Sequence, residues 1–475
     1  MNLMLFAPET ILLLGSLALF LLSLGRPHVE ASRRLAQLVA LAATLALLCP
    51  VTLNAQGSLF FDAYRVDFFS QLMKLITCVG LAATLFASPR LKGIAPHVRP
   101  EYYLFLILSA LGLVFLVSSA DLLTMFISLE LSSYSLYLLV PMRDDRQGLR
   151  MQMESAVKYI LFGVAATGVM LFGMSYLYGL TGTLTFSQLL PALRPLMDSP
   201  AALAAVAMVL ASFFFKLAVF PFHFWAPDVY QGASNETAAF IASVPKVAAV
   251  GLLIRITALA TPDAHFLAYM LMILSVCSMF YGNLTALVQT DVKRMLGFSG
   301  IAHAGYILLG LVTLGEAGYA MAIYYVIGYL FMVIAGFLVL CAVSADGENV
   351  SVSDLNGLHR RSPLLAFTLA VSMFAMAGIP PFAGFMGKFM LLTAAYKAGF
   401  LPLVIIAVVN TAIGMYYYLS VVKAAYSADP EGRPAIAAGF AAKIVSALLV
   451  VVIVALGVAP DRVLAVATEA VKTLL

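Results

Sequence analysis

Charged side chains are scarce in this chain of 475 residues. Asp, Glu, Lys and Arg together make up 11% of it, whereas 63% of the residues are hydrophobic. A soluble domain has about 25% charged and about 45–50% apolar residues, because its surface has to remain hydrated. The composition therefore excludes a soluble enzyme, a nucleic-acid-binding protein, a disordered tail and a secreted disulfide scaffold.

Cysteine is also rare, and the four cysteines lie singly in apolar runs. No two of them have the spacing of metal ligands (Cys49, Cys78, Cys277 and Cys341). We therefore predict four small core residues and no metal or iron–sulfur site. The glycines form no dinucleotide-binding or phosphate-binding pattern. We expect this chain to bind no cofactor of its own.

Long apolar runs, by contrast, are abundant. A membrane-spanning helix needs about 20 mostly apolar residues, and open sheets are excluded because lipid leaves their edges unsatisfied. We therefore predict an all-α polytopic membrane protein embedded in a lipid bilayer. The fourteen candidate spans are residues 4–24, 35–54, 68–87, 102–118, 120–141, 154–180, 201–225, 237–260, 266–288, 297–314, 319–344, 364–396, 401–424 and 440–459.

Basic residues alternate between the loops that connect these spans. By the positive-inside rule, the loops rich in arginine and lysine are cytoplasmic. An even number of spans then puts both termini on the opposite, periplasmic side of a bacterial inner membrane. The residues of the basic loops are Arg26, Arg33, Arg34, Arg90, Lys92, Arg99, Arg143, Arg146, Arg150, Lys293, Arg294, Arg360, Arg361 and Arg433.

Several ionisable residues interrupt the apolar runs. A charge at the centre of a membrane helix costs at least about 2.5–3.5 kcal/mol and usually has a function. Glu130 is the only acidic residue that the sequence places deep within a span. The lysines in comparable positions are Lys158, which follows Glu154 by one helical turn, Lys216, Lys246 and Lys388.

A lysine can carry protons in such surroundings, since burial disfavours its charged form and a nearby carboxylate favours it. The structural alternative is a set of buried ion pairs that fix helix packing. A second alternative is snorkelling, in which a lysine near a helix end extends its charge to the membrane surface. Snorkelling is our interpretation of Lys74 and Lys423.

Two histidines, His223 and His303, also lie in apolar surroundings. Histidine titrates near neutral pH and can relay protons. The alternative for each is a core histidine that hydrogen-bonds to a neighbouring carbonyl. A metal site is not indicated, because neither histidine has a second ligand at helical spacing.

Prolines interrupt two of the spans. Span 7 carries Pro221 and Pro227, and span 12 carries the motif Gly-Ile-Pro-Pro, which ends at Pro381. Proline removes a backbone donor and clashes with the preceding turn, so both helices are predicted to break. Paired broken helices are typical of inverted-repeat transporters. We therefore predict an N-terminal three-helix segment (1–100), two inverted five-helix repeats (101–262 and 263–425) and a final helix (426–475).

The same stretches resemble the antiporter-like proton-pumping subunits of respiratory complex I, the NADH–quinone oxidoreductase. The resemblance is carried by FFKLAVFPFHFWAPDVYQGASNETAAFIASVPKVAAVGLL (214–253), KRMLGFSGIAHAGYILLG (293–310) and AGIPPFAGFMGKF (377–389). Within that family the chain length, the PFHFWAPDVYQGA motif and the lysine at 388 favour the branch called N over L and M. One departure is ASNETAAFI (233–241), where the family usually has a proline-rich stretch; the path between spans 7 and 8 is therefore left open.

The resemblance implies a function and residue roles. It implies proton translocation driven by electron transfer from NADH to quinone, with NADH, FMN, iron–sulfur clusters and quinone bound by other subunits. Neighbouring membrane-arm subunits M and K are the implied partners. Glu130 and Lys216 would form a modulating pair, Lys246 the central carrier and Lys388 the exit-side carrier. The further members of the path would be Glu154, Lys158, His223 and His303.

Four alternatives share some of these features. One is a subunit of a multisubunit cation/proton antiporter, and another is a subunit of a membrane-bound hydrogenase, both on the same scaffold. A free-standing solute transporter is less favoured, because no large polar cluster lies near the middle of the spans. A structural spacer with non-functional lysines is the fourth.

Overall fold

The computed structural model describes residues 3–25, 28–88, 90–144, 150–196, 199–258, 265–427, 429–430 and 432–474. Arg26 and Arg146, two of the basic loop residues, lie outside these ranges. The described chain is almost entirely helical. Its α-helices are α1 (Ala7–Ser23), α2 (Val29–Leu48), α3 (Pro50–Leu53), α4 (Phe68–Ala87), α5 (Arg99–Ser118), α6 (Leu122–Leu139), α7 (Met151–Thr181), α8 (Phe186–Leu193), α9 (Pro200–Leu217), α10 (Trp225–Gly232), α11 (Asn235–Thr257), α12 (His265–Ala286), α13 (Val292–Leu311), α14 (Glu316–Val343), α15 (Leu358–Arg361), α16 (Pro363–Ala377), α17 (Ala383–Lys397), α18 (Leu401–Ser427), α19 (Phe440–Val458) and α20 (Asp461–Lys472).

Each of the fourteen predicted spans corresponds to helix in the structure. Within the described ranges, twelve helices are long and apolar enough to cross a membrane. The other two predicted spans correspond to α13, which begins with Lys293 and Arg294, and to the broken pair α16 and α17. The polytopic helical fold is thus confirmed, whereas the number fourteen stays a prediction.

Two local expectations were wrong. The second span was predicted at 35–54, but α2 begins at Val29 and ends at Leu48, because Pro50 cannot continue a helix and instead begins the separate turn α3. The cysteines are not all core residues: Cys78 and Cys341 are buried, whereas Cys49 is exposed at the end of α2 and Cys277 is partly exposed.

A small β-hairpin, which the all-α prediction missed, connects α3 to α4. Strands β1 (Gly57–Leu59) and β2 (Tyr64–Val66) pair antiparallel. Tyr64 and Val66 point inward and Arg65 points outward, so the alternation of a half-buried strand extends over only three residues. Phe6 packs edge-on against Tyr64, which anchors the hairpin over the beginning of α1.

The two predicted breaks are present. Helix α9 ends at Leu217 and α10 begins at Trp225, so Pro221 lies in the gap; α16 ends at Ala377 and α17 begins at Ala383, so Pro381 lies in the gap. The peptide bonds that precede Pro221 and Pro381 are both cis. Pro227 takes no part in the break, because it lies in the first turn of α10, where its missing N–H has no helical partner to lose.

The helices that follow α4 have the same pattern of neighbours in both halves. Helix α5 packs on α6 as α12 packs on α13, and α7 packs on α9 and α10 as α14 packs on α16 and α17. Helix α9 also packs on α11 as α16 packs on α18. Matching helix contacts in the two halves are what a repeated five-span unit would produce. The exact domain boundaries stay predictions.

Gly384 offers a test of the second break. It lies in the first turn of α17, where a Cβ atom would come 1.8 Å from the carbonyl oxygen of Ala375 in α16. We expect Gly384→Ala to destabilise the subunit by about 1–3 kcal/mol, because the backbone must move to relieve the overlap. Thermal unfolding in detergent measures the change.

Gly168 supplies the matched control. This exposed glycine in the interior of α7 has no heavy atom within 4 Å of its built Cβ. Gly168→Ala should be neutral or stabilise the protein by up to about 1 kcal/mol, which is the difference in helix propensity. Equal stability of the two variants would contradict the close approach of α16 and α17.

Candidate functional site

Lys246 lies between the two halves of the molecule. It belongs to α11, a helix that is buried along almost its whole length, and Lys246 itself is 1% exposed. Its ammonium donates to the carbonyl oxygen of Gly300 in α13 at 3.1 Å and to the hydroxyl of Tyr329 in α14 at 3.3 Å. A lysine of the first predicted repeat thus finds its acceptors on helices of the second.

Gly300 makes this approach possible. A Cβ at this position would lie 2.9 Å from Nζ of Lys246 and 3.1 Å from the hydroxyl oxygen of Tyr329. Any larger residue would therefore occupy the space that the ammonium uses. The space that a side chain at position 300 would fill is therefore part of the pocket that holds the Lys246 ammonium.

His303 lies one turn after Gly300 on α13 and is 2% exposed. Its Nδ1 lies 2.6 Å from the hydroxyl of Tyr325, and its Nε2 lies 3.0 Å from the hydroxyl of Tyr418. The ring also packs against Tyr329, with 5.0 Å between the centroids. Because a hydroxyl can donate or accept, both ring nitrogens keep a partner in either protonation state.

Lys388 binds the end of the broken helix. Its Nζ donates to the carbonyl oxygens of Met376 at 3.0 Å and Ala377 at 3.2 Å, both in the last turn of α16. A helix that ends leaves its last carbonyls without helical donors and carries a partial negative charge there. The break thus creates an acceptor site for an ammonium. Nζ also lies 4.7 Å above the ring of Tyr306, whose centroid is 6.3 Å from that of His303.

Lys216 and Glu130 lie on neighbouring helices, in the last turn of α9 and in the middle of α6. Lys216 is 3% exposed and donates to Ser133 Oγ at 3.0 Å and more weakly to Ser132 Oγ at 3.4 Å. Glu130 is 6% exposed and accepts from Thr167 Oγ1 at 2.7 Å. Ser133 is three residues after Glu130, so the two charges approach the same turn of α6.

The charged atoms of this pair do not touch. Among the described residues no ion pair within 4.0 Å joins Lys216 to Glu130. Each charged group contacts a hydroxyl instead of the other charged group: Lys216 donates to Ser133, and Glu130 accepts from Thr167. That the two residues act as a modulating pair stays a prediction.

A row of aromatic rings runs from Phe215, the residue before Lys216, through Trp225 to Tyr230, whose hydroxyl lies near Gly300. Trp225, which begins α10, donates its indole N–H to the carbonyl oxygen of Phe215 at 2.9 Å and stacks on Tyr159 at 4.6 Å between centroids. Tyr230 follows at 6.2 Å from Trp225, and its buried hydroxyl has no hydrogen-bond partner within the described part of the chain. The described hydrogen bonds of Lys216 and Lys246 share no partner, so proton exchange between the two lysines would require water or side-chain movement.

Lys158 and Glu154 lie at the margin of the molecule rather than in this interior row. Their predicted pair is present, with 2.7 Å between Nζ and the carboxylate, but the side chains are 38% and 67% exposed. Lys158 also pairs with Asp228 of α10 at 2.6 Å, and Asp228 binds Arg294 on its other oxygen. Sequence reasoning missed Asp228, because this residue follows a predicted span rather than interrupting one.

His223 does not join the polar row. It lies in the gap between α9 and α10, is 1% exposed, and packs among Phe220, Phe224 and Tyr281. Neither ring nitrogen has a hydrogen-bond partner among the residues that the structure describes. Its predicted place in the path gains no geometric support, and neither does the alternative of a carbonyl-bonded core histidine.

The interpretation of Lys74 as a snorkelling lysine was wrong. Lys74 and Glu9 are both 0% exposed and form an ion pair of 2.8 Å between α4 and α1. Glu130 is therefore not the only acidic residue buried in a span. The sequence signal that was overlooked is Glu9 itself, which lies in the first turn of an apolar helix.

The tyrosine hydroxyls that flank His303 were also missed by sequence reasoning. Tyr325 and Tyr418 occur in the aromatic repeats YY and YYY inside apolar spans. In that context an aromatic residue is usually a packing residue or an interface anchor, so sequence gives no reason to assign a hydrogen bond. Their role follows only from the approach of α14 and α18 to α13.

Comparisons with known proteins agree with this architecture. Residues 119–414 match the family described as the transmembrane region of NADH:quinone oxidoreductase and Mrp antiporter subunits. NADH-quinone oxidoreductase subunit N 2 of Opitutus terrae is 52% identical over 470 residues, which cover 99% of this chain and 98% of that protein.

Solved structures have the same fold. A chain of respiratory complex I from Thermus thermophilus, solved with bound aureothin, is 33% identical, has a TM-score of 0.84 and covers 97% of this chain and 99% of its own length. A chain of the Mrp complex from Dietzia sp. DQ12-45-1b has a TM-score of 0.87 at 22% identity over 100% of this chain and 98% of its own, which indicates a common fold only. The chain belongs to the NADH:quinone oxidoreductase/Mrp antiporter membrane family and, within it, to the NADH-quinone oxidoreductase subunits N.

Proposed function

We propose that this chain is the N subunit in the membrane arm of a bacterial NADH:quinone oxidoreductase and translocates protons while other subunits reduce quinone. The observation that carries the proposal is the buried row from Lys246 through His303 to Lys388, which crosses from the first half of the molecule into the second. Three ionisable residues in such a row have no packing function that apolar side chains could not supply better.

Lys246 is suited to the role of central carrier because its neighbours are neutral. As an ammonium it donates to a carbonyl and to a hydroxyl. As a neutral amine it can accept a hydrogen bond from the same Tyr329 hydroxyl, which rotates to suit. Both protonation states are therefore accommodated without moving a helix, and the lysine can gain and lose a proton in place.

His303 is the proposed connection between the two lysines of the second half. Rings and hydroxyls link it to Tyr329 on the Lys246 side and to Tyr306 on the Lys388 side. No direct hydrogen bond joins His303 to either lysine among the described residues, so water must complete each transfer. Lys388, held by the carbonyls at the end of α16, is the proposed exit-side carrier.

Glu130 and Lys216 are proposed to modulate this row. Bringing the carboxylate toward Lys216 would favour its ammonium form, and separation would disfavour it. The hydroxyls of Ser133 and Thr167 hold the charges in the separated arrangement. Glu154 and Lys158, with Asp228, are proposed to supply protons from the arginine-rich side, because they lie at the margin of the bundle there. His223 is proposed as a further member of the proton path, whose ring would have to rotate to find a hydrogen-bond partner.

The proposal extends to the surroundings of the chain. Its membrane is the bacterial inner membrane, with both termini periplasmic. Subunits M and K are its expected neighbours, and NADH, FMN, iron–sulfur clusters and quinone are expected in other subunits. The fold alone would equally suit a cation/proton antiporter, but the relative that is 52% identical along nearly the whole chain is named a subunit N. Purification of the protein within a large assembly of complex I subunits would support the proposal; isolation in an assembly without them would contradict it.

Lys246 provides the central test. Lys246→Ala should lower proton pumping by the assembled enzyme in liposomes at least ten-fold, while NADH oxidation with artificial acceptors remains normal. Lys246→Arg should fail too, since guanidinium does not deprotonate in proteins. Near-normal pumping by either variant in a fully assembled enzyme would rule out Lys246 as an essential carrier.

The coupling of Glu130 and Lys216 can be measured with a double-mutant cycle. Glu130→Gln and Lys216→Met should each reduce pumping several-fold, because each leaves one buried charge without its counterpart. The double variant should lose less than the two single losses combined. Strictly additive losses in pumping rate would show that the two residues act independently.

Gly300→Ala probes the Lys246 pocket without changing any ionisable group. The new methyl group would displace the lysine ammonium, which is the mobile end of a flexible side chain, so assembly should be normal. Pumping should fall several-fold, whereas the control Gly168→Ala in the exposed part of α7 should pump normally. Wild-type pumping by Gly300→Ala would mean that the contact of Lys246 with α13 is dispensable.

A further inference from the structure

A second buried acid–base cluster lies in the N-terminal helices, outside the region that matches the family. Glu9 in α1 and Lys74 in α4 are both fully buried, and 2.8 Å separates their charged atoms. Tyr64 of strand β2 donates its hydroxyl to the same carboxylate oxygen of Glu9, at 2.5 Å. Two ionisable residues and a phenol thus meet where apolar packing alone would hold the helices together.

The cluster is incompletely paired. Oxygen Oε2 of Glu9 is buried and has no hydrogen-bond partner among the described residues. Lys74 has no further acceptor there, and its ammonium lies over the ring of Tyr64, 5.0 Å from the centroid. An ion pair that served only to fix helix packing would be expected to have its remaining polar positions filled, since a buried polar atom without a partner destabilises the folded protein. The free carboxylate oxygen is a position at which a proton can bind.

The chain next to Tyr64 lines an open cavity on the arginine-poor side, although Glu9, Lys74 and Tyr64 are not among its lining residues. A cavity of about 780 Å³ is lined by both strands of the hairpin and reaches Arg65 and Val66, the residues that follow Tyr64. Asp67 and Arg255 form a buried pair of 3.0 Å at the wall of this cavity. Arg255 lies on α11, nine residues after Lys246, or about 13.5 Å along the helix.

We propose that Glu9, Lys74 and Tyr64 form a proton-exchange site between the central row of lysines and the cavity beneath the hairpin. This inference rests on the proposed proton-translocating function. It assigns to the N-terminal helices a part in proton release in addition to the exit-side role proposed for Lys388.

The proposed proton exchange takes three steps, and the cluster ends with the same protons and the same charge with which it began. In the resting cluster the Glu9 carboxylate and the Lys74 ammonium sum to zero charge. A proton that arrives on the free oxygen of Glu9 gives a neutral acid beside an unpaired ammonium. Lys74 then loses one proton to a water molecule, which would have to carry it from the buried lysine to the cavity. Transfer of the carboxylic proton from Glu9 to the neutral amine restores the pair. One proton has entered and one has left.

Lys74→Arg separates this proposal from a structural ion pair. Arginine keeps the positive charge and the contact with Glu9, but it does not give up a proton. We expect Lys74→Arg to assemble normally, to oxidise NADH normally with artificial acceptors and to pump at least three-fold fewer protons per NADH in liposomes. Pumping equal to that of the wild type would overturn the proposal.

Tyr64→Phe gives a second, milder measurement if arginine disturbs the packing. It keeps the ring contacts with Phe6 and Phe115 and removes only the hydroxyl that binds Glu9. A loss of at least two-fold in protons per NADH supports the proposal, and an unchanged ratio contradicts it. The exposed Lys423, as Lys423→Arg, is the matched control and should leave the ratio unchanged.

The single variant Lys246→Ala, prepared and measured in parallel, distinguishes a failure of the N-terminal site from a failure of the proposed function. If Lys246→Ala abolishes pumping while Lys74→Arg and Tyr64→Phe pump normally, the N-terminal site is refuted and the central row is retained. If Lys246→Ala itself pumps normally, the proposed function fails, whatever the N-terminal variants do.

Discussion

The rest of this structure depends on the need of a buried ammonium for oxygen acceptors where lipid and water offer none. A lysine at the centre of a membrane helix costs at least about 2.5–3.5 kcal/mol if its charge is left unsolvated. The protein meets this cost with backbone and hydroxyl oxygens. Lys388 takes two carbonyls from the last turn of α16, and Lys246 takes a carbonyl from α13 at a glycine. The broken helix and the glycine are therefore parts of the lysine sites.

Different acceptors give the buried lysines different properties. Lys246 and Lys388 bind neutral oxygens, which solvate an ammonium without fixing it, whereas Lys74 binds a carboxylate. Removing a proton from Lys74 alone would leave an isolated buried anion, and breaking such a pair typically costs about 3–5 kcal/mol. Neutral acceptors suit a carrier that changes state often, and a carboxylate suits a site whose state changes only when a second proton arrives.

Much of this fold could be predicted because membrane constraints act on local sequence. Apolar length identified the spans, and Pro221 and Pro381 identified the breaks, since a proline affects only the turn that precedes it. The lysines stood out because charge is rare in such runs. The hairpin at 57–66 was missed, because three alternating residues are too short to distinguish from a loop.

Contacts between distant segments could not be predicted in this way. Lys74 was interpreted as a snorkelling lysine because its partner is 65 residues away. Nothing in either helix alone indicates that Glu9 faces Lys74. Glu130 and Lys216 were expected to form a pair, but the hydroxyls of Ser133 and Thr167, which they contact instead of each other, were not foreseen. Which oxygen a lysine binds depends on how helices cross, and a single sequence does not contain that information in local form.

The separation of Glu130 from Lys216 has a consequence for how the row can be driven. In a low-dielectric interior a charge acts over several ångströms, so a carboxylate influences a lysine without touching it. Ser133 and Thr167 hold the two charges at neutral oxygens that either residue can leave at modest cost, because a neutral hydrogen bond contributes only about 0.5–1.5 kcal/mol. A movement that brought Glu130 to Lys216 would exchange these hydroxyl contacts for a direct ion pair. In the proposed mechanism, such an exchange would favour the charged form of Lys216 and would thereby alter the electrostatic field at Lys246.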